Sequence, residues 1–257
     1  MRFSGKSVIV TGGGRGIGLA CARRFAREGA YVVIGELDEK DGSQAAAGIV
    51  AEGGHALFVH TDVSDRQSAG ALVDATLEWA GRLDVLINNA GIVRSGDILE
   101  LTENDFDAVL ATNLKGPFLV GQAAAAVMAE RGGGVIVNMS SINAKVAIAD
   151  QLAYVTSKGG LNQLTKAMAL GLADRNVRVV AIGPGSIRTE MLDRVMADDR
   201  ARLDILARTP LSRPGEADEI AALAAFLASD EASYITGEII YADGGRLALN
   251  YTVPVPD

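Results

Sequence analysis

Residues 7–18, SVIVTGGGRGIG, decide the fold. A run of β-branched residues passes directly into glycines at 12, 13, 14, 16 and 18, and the following LACARRFAREGA has helical periodicity. The order is strand, tight glycine turn, helix start. Glycine permits positive φ and close approach of the backbone to a ligand, and the free N–H groups of a helix N-terminus attract phosphate oxygens. The spacing is Gly12-x-x-x-Gly16-x-Gly18, which differs from G-x-G-x-x-G but has the same mechanics. A second β-run, YVVIGE, ends at Glu36, eighteen residues beyond Gly18, where an acid that binds a ribose hydroxyl is expected.

Outward from this unit the pattern repeats. Strand-like runs at 7–11, 31–35, 56–60, 83–88, 134–139, 177–182 and 237–241 alternate with helical segments. VIVTG, DVLIN, GVIVNM and VRVVAI are almost continuously apolar, as strands buried on both faces must be. The expectation is an α/β chain of one domain over residues 1–257: a Rossmann-like doubly wound parallel sheet with helices on both faces and a crevice at the carboxyl ends of its strands. The glycine loop, Glu36, Asp62, NNAG, Ser140-Ser141 and Pro184-Gly185 all directly follow strands, so they converge on one edge. The stretch at about 187–215 breaks the alternation with a connection longer than usual and is read as a substrate lid. Its arginines at 194, 200, 202, 208 and 213 are read as a solvated helix face, with binding of a substrate anion as the alternative.

A second constellation carries the chemistry. In LAYVTSKGG, Tyr154 and Lys158 are four residues apart, so on a helix both lie on one face. A cation beside a phenol favours the phenolate, and the first turn of a helix acts in the same direction, so a lowered pKa is expected for Tyr154. Ser140 and Ser141 stand fourteen and thirteen residues upstream. Either could serve the site or merely finish the strand.

Together these motifs resemble the short-chain dehydrogenase/reductase family, over nearly the whole chain. TGGGRGIG is similar to the family's cofactor loop, Asp62-Val63 to its adenine contact, NNAG (88–91) to its sheet-stabilising turn, and PGSIRT (184–189) to its nicotinamide-side loop. The resemblance implies a catalytic tetrad of Asn113, Ser141, Tyr154 and Lys158, the thirteen-residue offset selecting Ser141 over Ser140. It also implies that Lys158 holds the nicotinamide ribose, that Asn113 anchors a water, and that the protein is a tetramer. The cofactor set it implies is Gly12, Arg15, Gly16, Ile17, Gly18, Glu36, Asp62, Val63, Asn89, Ala90, Gly91, Tyr154, Lys158, Pro184, Gly185, Ile187 and Thr189.

Cofactor choice rests on opposed residues. Glu36 can accept from a ribose 2′-hydroxyl and repels a 2′-phosphate, which favours NAD. Arg15 stands where relatives that use NADP often carry a base, so NADP is the lesser reading. Lys40 is read as a surface residue. Beside the tetrad, Asn143 and Gln151 are polar where an enzyme for bulky apolar ketones would carry apolar groups, so a polyol, sugar or hydroxy-ketone is expected. Ser186, Val93, Arg94, Ser95 and Met191 are further substrate candidates. Ala144 stands where the family commonly has glycine and Val180 where it usually has asparagine; neither is a proton carrier. The activity expected is interconversion of a secondary alcohol and a ketone, the alternatives being an NADPH-dependent 3-oxoacyl reductase and a non-catalytic dinucleotide-binding protein.

Composition narrows the remaining classes. The 257 residues are 49% apolar, enough for a sizeable core, and the net charge is −8, which offers no general field for nucleic acid or an anionic membrane. The opening MRFSGKSVIV lacks the apolar run of a signal peptide, so a cytoplasmic protein is expected. Cys21 is read as a buried small hydrophobe, His55 and His60 as structural or exposed, and no spacing points to a metal. The Ala-rich helix at 119–129 and LALNYTVPVP near the C-terminus would suit subunit interfaces or internal packing.

Overall fold

The computed structural model describes residues 1–255. In chain order its elements are β1 (Ser7–Thr11), α1 (Gly16–Arg27), β2 (Tyr31–Glu36), α2 (Glu39–Ala51), β3 (His55–His60), α3 (Arg66–Ala80), β4 (Val85–Asn88), α4 (Glu103–Leu110), α5 (Gly116–Glu130), β5 (Gly134–Met139), α6 (Leu152–Leu172) and β6 (Val177–Pro184). They continue with β7 (Ile187–Arg188), α7 (Glu190–Met196), α8 (Asp199–Ala207), β8 (Gly215–Glu216), α9 (Ala217–Ala228) and β9 (Ile239–Ala242). The main sheet has the order β3-β2-β1-β4-β5-β6-β9, with every pair parallel. The chain runs outward from β1 in one direction, then returns and runs outward in the other. The reversal between β1 and β4 is the switch point at which such sheets open a ligand crevice.

The alternation of side chains explains why the strands read as unbroken apolar runs. Val8, Val10, Val32, Ile34, Val85, Ile87, Val135, Val137, Val180 and Ile182 enter one core, with Cys21, Phe25, Ile49, Ile220 and Leu227 from the helices. Ile9, Val33, Leu86, Ile136 and Val179 enter a second core on the opposite face, with Leu72, Leu119, Val120 and Met128. A period of two with both faces covered makes the strand centres apolar on either side, and polar residues such as Thr11, Asn88 and Asn138 stand near the carboxyl ends. Cys21 is fully buried, and burial, with the charge of Asp218 adding, pushes its thiol up to about 12. It is a packing residue.

All seven expected strands are present, those at 7–11 and 134–139 with the expected bounds and the other five with shifted ends. The fourth begins at Val85; just before it, the Asp84 carboxylate accepts from Ser7 N at 2.9 Å and pairs with Lys6 and Arg82. Between β7 and β8, which form a two-stranded parallel sheet, lie α7 and α8. The long segment is therefore helical and tied together at its ends. The side chains of Met191 and Arg194 lie outside the described residues.

Candidate active site

The residues after β1, β2, β4, β5 and β6 meet at one edge of the sheet. Gly12 and Gly16 have φ of +61° and +54°, conformations that an L side chain rarely adopts. Helix α1 begins at Gly16 with no side-chain cap and no acidic residue in its first turn, whereas α2, α3, α4, α7 and α8 are each capped by Asp38, Asp65, Thr102, Thr189 or Asp198. An uncapped N-terminus within a glycine turn suits the phosphates of a dinucleotide. NNAG fixes this loop. The Thr11 hydroxyl accepts from Asn89 N and Ala90 N at 3.0 and 3.1 Å, and Asn89 Nδ2 donates to Thr11 O and Gly12 O at 3.1 and 2.9 Å.

Glu36 faces the same loop, its Oε2 accepting from Gly14 N at 3.1 Å and its Oε1 from Leu37 N at 2.9 Å. Arg15 turns toward Asp41 of α2, at 3.5 Å, rather than into a free position. Asp62 Oδ1 accepts from the backbone and hydroxyl of Ser64, and Val63 is buried beside Gly116. Of the loop after β6, Ile187 is buried, Gly185 N donates to Ala242 O at 2.9 Å, and Thr189 both caps α7 and faces Gly16. Ile17 is the first-turn residue of α1 between the two glycines. The uncapped helix, the positive-φ glycines and the Glu36 carboxylate at the loop fit a nicotinamide dinucleotide.

Asn113, Ser141, Tyr154 and Lys158 assemble next to it. Asn113 lies in a five-residue π-helical turn, Ala111–Lys115, between α4 and α5, and is fully buried. Its amide oxygen accepts from Ile92 N at 2.8 Å, and its Nδ2 donates to Ile92 O at 2.9 Å and to Ser157 Oγ at 3.2 Å. Ser157 in turn donates to Tyr154 O at 2.7 Å. Side-chain groups of Asn113 are thus spent on the backbone after NNAG and on α6. Neither the π turn nor Ser157 is visible in the spacing of the sequence, because one inserted residue in a helix leaves no compositional trace.

Geometry separates the two serines. Ser140 donates to Asn162 Oδ1 at 2.7 Å, and Asn162 donates onward to Tyr241 Oη at 3.1 Å. Ser141 caps the short turn Ile142–Ala144 by accepting from Asn143 N at 3.1 Å, and its hydroxyl lies beside the Tyr154 phenol, where it favours the phenolate. Asn143 and Gln151 border this point, Gln151 preceding the first turn of α6. Ser186 is half-buried, its carbonyl accepting from Gly215 N at 2.9 Å.

The electrostatics differ from the expectation of a lowered tyrosine. Burial pushes the Tyr154 phenol up, and the neighbouring Ser141 hydroxyl only partly opposes it. Lys158 is buried and burial brings it down to about 8. Its Nζ donates to Met139 O at 2.8 Å and sits 5.6 Å from the centre of the tyrosine ring, so the ammonium is directed at a strand-end carbonyl. Desolvation therefore outweighs the cation. The site holds a neutral phenol beside an ammonium that gives up its proton near pH 8.

A cavity of about 930 Å³ lies at the opposite edge of the sheet, where Lys6, Arg82, Asp84 and Arg178 line it. Those groups are engaged in ion pairs or in hydrogen bonds to backbone carbonyls. Among the described residues no group of three His, Cys, Asp or Glu is placed to hold a metal, and no helix is long and apolar enough to cross a membrane.

Known proteins resemble the chain over nearly its whole length. A family model described as enoyl-(acyl carrier protein) reductase matches residues 12–246. The L-rhamnose 1-dehydrogenase (NAD(P)+) of Azotobacter vinelandii is 41% identical, the match spanning 93% of this chain and 96% of that one. The 3-oxoacyl-[acyl-carrier-protein] reductase of Thermotoga maritima is 39% identical over 95% and 99% of the two chains. A solved short-chain type dehydrogenase/reductase from Mycobacterium marinum superposes with a TM-score of 0.90 at 34% identity, covering 96% of this chain and 97% of its own. The chain belongs to the short-chain dehydrogenase/reductase family.

It is an oxidoreductase of that family, whose members bind a nicotinamide dinucleotide and act on small molecules. In this member of the short-chain dehydrogenase/reductase family, one sheet edge gathers the uncapped α1, Glu36, Ser141 and Tyr154. The two curated relatives differ in what their names say they act on, one a sugar and the other a carrier-bound acyl group. Substrate choice must therefore be argued from this chain's own residues.

Proposed function

We propose that the protein is an NAD-dependent oxidoreductase that interconverts a secondary alcohol, carried by a polyol, sugar or hydroxy-ketone, and the corresponding ketone. On this reading it works in the cytoplasm as a homotetramer. The observation that carries it is the half-buried Tyr154 phenol beside the Ser141 hydroxyl, with the buried Lys158 one turn along the helix. Tyr154 is the general acid and base. Its neutral phenol gives its proton to the substrate oxygen in reduction and recovers it in oxidation. Ser141 donates to that oxygen as charge develops on it. Lys158, a cation below about pH 8, supports the phenolate when it forms. Asn113 ties α6 to the backbone after NNAG and so holds the tyrosine in position.

Bound nicotinamide supplies or takes the hydride. Gly12, Arg15, Gly16, Ile17 and Gly18 would hold the pyrophosphate, Asp62 and Val63 the adenine, and Asn89, Ala90, Gly91 and Lys158 the ribose side. Pro184, Gly185, Ile187 and Thr189 would flank the nicotinamide, and residues 187–215 would act as the lid, its two ends joined by the β7–β8 pair. Ser141, Asn143, Gln151 and Ser186 would face the substrate, whose polar lining favours a hydroxylated compound.

The preference for NAD rests on two carboxylates. Glu36 is held against the glycine loop and Asp41 stands beside it, with Arg15 paired to Asp41. A 2′-phosphate would be brought up to both acids, and the arginine that could welcome it is engaged. The 3-oxoacyl reductase of T. maritima favours a second reading, reduction of a carrier-bound ketone with NADPH, and the cofactor comparison separates the two. We expect wild-type kcat/KM with NAD+ to exceed that with NADP+ by at least about tenfold, equivalent to about 1.4 kcal/mol. In Glu36→Ala the ratio should narrow by about the same factor. Preference for NADPH in the wild type would eliminate the NAD reading.

A further inference from the structure

A second cavity, of about 460 Å³, is lined by residues 146–149, Arg208, Arg246, Leu247, Leu249 and Tyr251. Its wall at 146–149 belongs to the connection between β5 and α6, which carries Ser141 at one end and leads into Tyr154 at the other. The opposite wall is assembled from the end of α8 and the segment after β9. These parts are held in place. Thr209 and Pro210 pack against Gly244 and Gly245, Leu211 N donates to Gly244 O at 3.1 Å, and Val253 N donates to Ala207 O at 2.8 Å.

Two guanidinium groups therefore face one cavity otherwise walled by Val146, Ile148, Leu249 and Tyr251. Among the described residues neither Arg208 nor Arg246 forms a salt bridge, although most surface arginines nearby do. The acids around them are otherwise directed. Asp243 accepts from Gly245 N at 2.9 Å with Oδ1 and from Leu247 N at 2.8 Å with Oδ2, so its carboxylate closes its own turn. Asp150, next to the wall, forms no ion pair among the described residues, and Lys145 on the same loop lies over the Tyr241 ring. Burial and the like charge of Arg208 both push the Arg246 guanidinium down, and Asp243 only partly offsets them. Arg208 at the C-terminus of α8 gains from the helix dipole, which explains that residue alone. Arg246 lies outside that helix. Arg208 is exposed and Arg246 half-buried, and with Asp243 offsetting Arg246 only in part the two like charges favour an oxyanion, whose geometry matches the guanidinium fork.

We propose that Arg208 and Arg246 bind an oxyanion of the substrate, a carboxylate or a phosphate, while the alcohol or ketone of the same molecule reaches Ser141 and Tyr154. This rests on the alcohol–ketone reading above and narrows it to acidic hydroxylated compounds. The test compares glucitol, gluconate and glucitol 6-phosphate with NAD+ in the wild type, Arg208→Gln, Arg246→Gln and the two Arg→Lys variants. At least one anionic compound should exceed glucitol by about tenfold or more in kcat/KM, chiefly through KM. Which of the two it is identifies the oxyanion. The preference should fall to about threefold or less in each Gln variant and be partly kept in each Lys variant. Equal use of neutral and anionic compounds by the wild type, or an equal loss for both in the Gln variants, overturns the proposal. Should none of the three be turned over, calorimetric titration with gluconate and with inorganic phosphate decides. Binding by the wild type that disappears in both Gln variants supports the oxyanion site while the alcohol–ketone reading fails, and absence of binding overturns the site itself.

Discussion

Tyr154→Phe lowers kcat/KM in both directions by about 10²–10⁴-fold, the usual contribution of a positioned proton carrier, and leaves the dissociation constant for the dinucleotide within about twofold. Only one oxygen is removed. The ring remains on α6, the Lys158 to Met139 hydrogen bond does not involve it, and Glu36 and the glycine loop are untouched. The raised phenol adds a direction to the pH dependence. Because burial keeps the proton on Tyr154 near neutrality, alcohol oxidation should accelerate as pH rises, and the variant should lose that slope. Steady-state kinetics over a pH series, with dinucleotide binding measured by fluorescence, check this. Activity in the variant within about threefold of the wild type would remove Tyr154 from its role.

Gly18→Ala is expected to raise the dinucleotide dissociation constant by at least about tenfold and to cost about 1–3 kcal/mol of stability. A Cβ at residue 18 would overlap the Gly12 carbonyl oxygen and crowd Asn89 Nδ2, the group that donates to that same oxygen. Backbone cannot move aside as a flexible side chain can, so β1 and α1 would have to separate at the turn. At about 2–4 °C per kcal/mol for a chain of this size, the midpoint should fall by several degrees. Gly70→Ala in α3 is the control. A Cβ there meets nothing, and helix propensity should hold or raise stability by up to about 1 kcal/mol. Calorimetry and a binding titration read both variants, and an unchanged affinity in Gly18→Ala would contradict the close packing assigned to that turn.

Much of this is legible in the sequence because the two periodicities are strong. Continuous Val and Ile runs at 7–11, 134–139 and 177–182 mark buried parallel strands, and the residues after them have to meet at one sheet edge. Glu36, Asn89, Asn113, Ser141, Tyr154 and Lys158 meet there accordingly. What escapes depends on the third dimension. The π turn at Asn113 has no composition of its own. Residue types alone do not choose between the two serines, and it is the hydrogen bond from Ser140 to Asn162 that separates them. The direction of the Tyr154 shift is opposite to the one expected from a shared helix face, since the spacing of Tyr154 and Lys158 fixes their proximity but not their burial. Arg208 and Arg246 belong to separate segments and share a cavity only because α8 and the segment after β9 pack together.

We propose that one sheet edge moves a hydride and a proton between a nicotinamide dinucleotide and a hydroxylated small molecule. Its most direct measurement follows nicotinamide absorbance while wild-type protein with NAD+ is offered polyols, sugars and their acids, and with NADH the matching ketones. Reduction of NAD+ with at least one of these alcohols, and reoxidation of NADH with its ketone, is the predicted result. Tight binding of NAD+ without any absorbance change across the whole panel would contradict it.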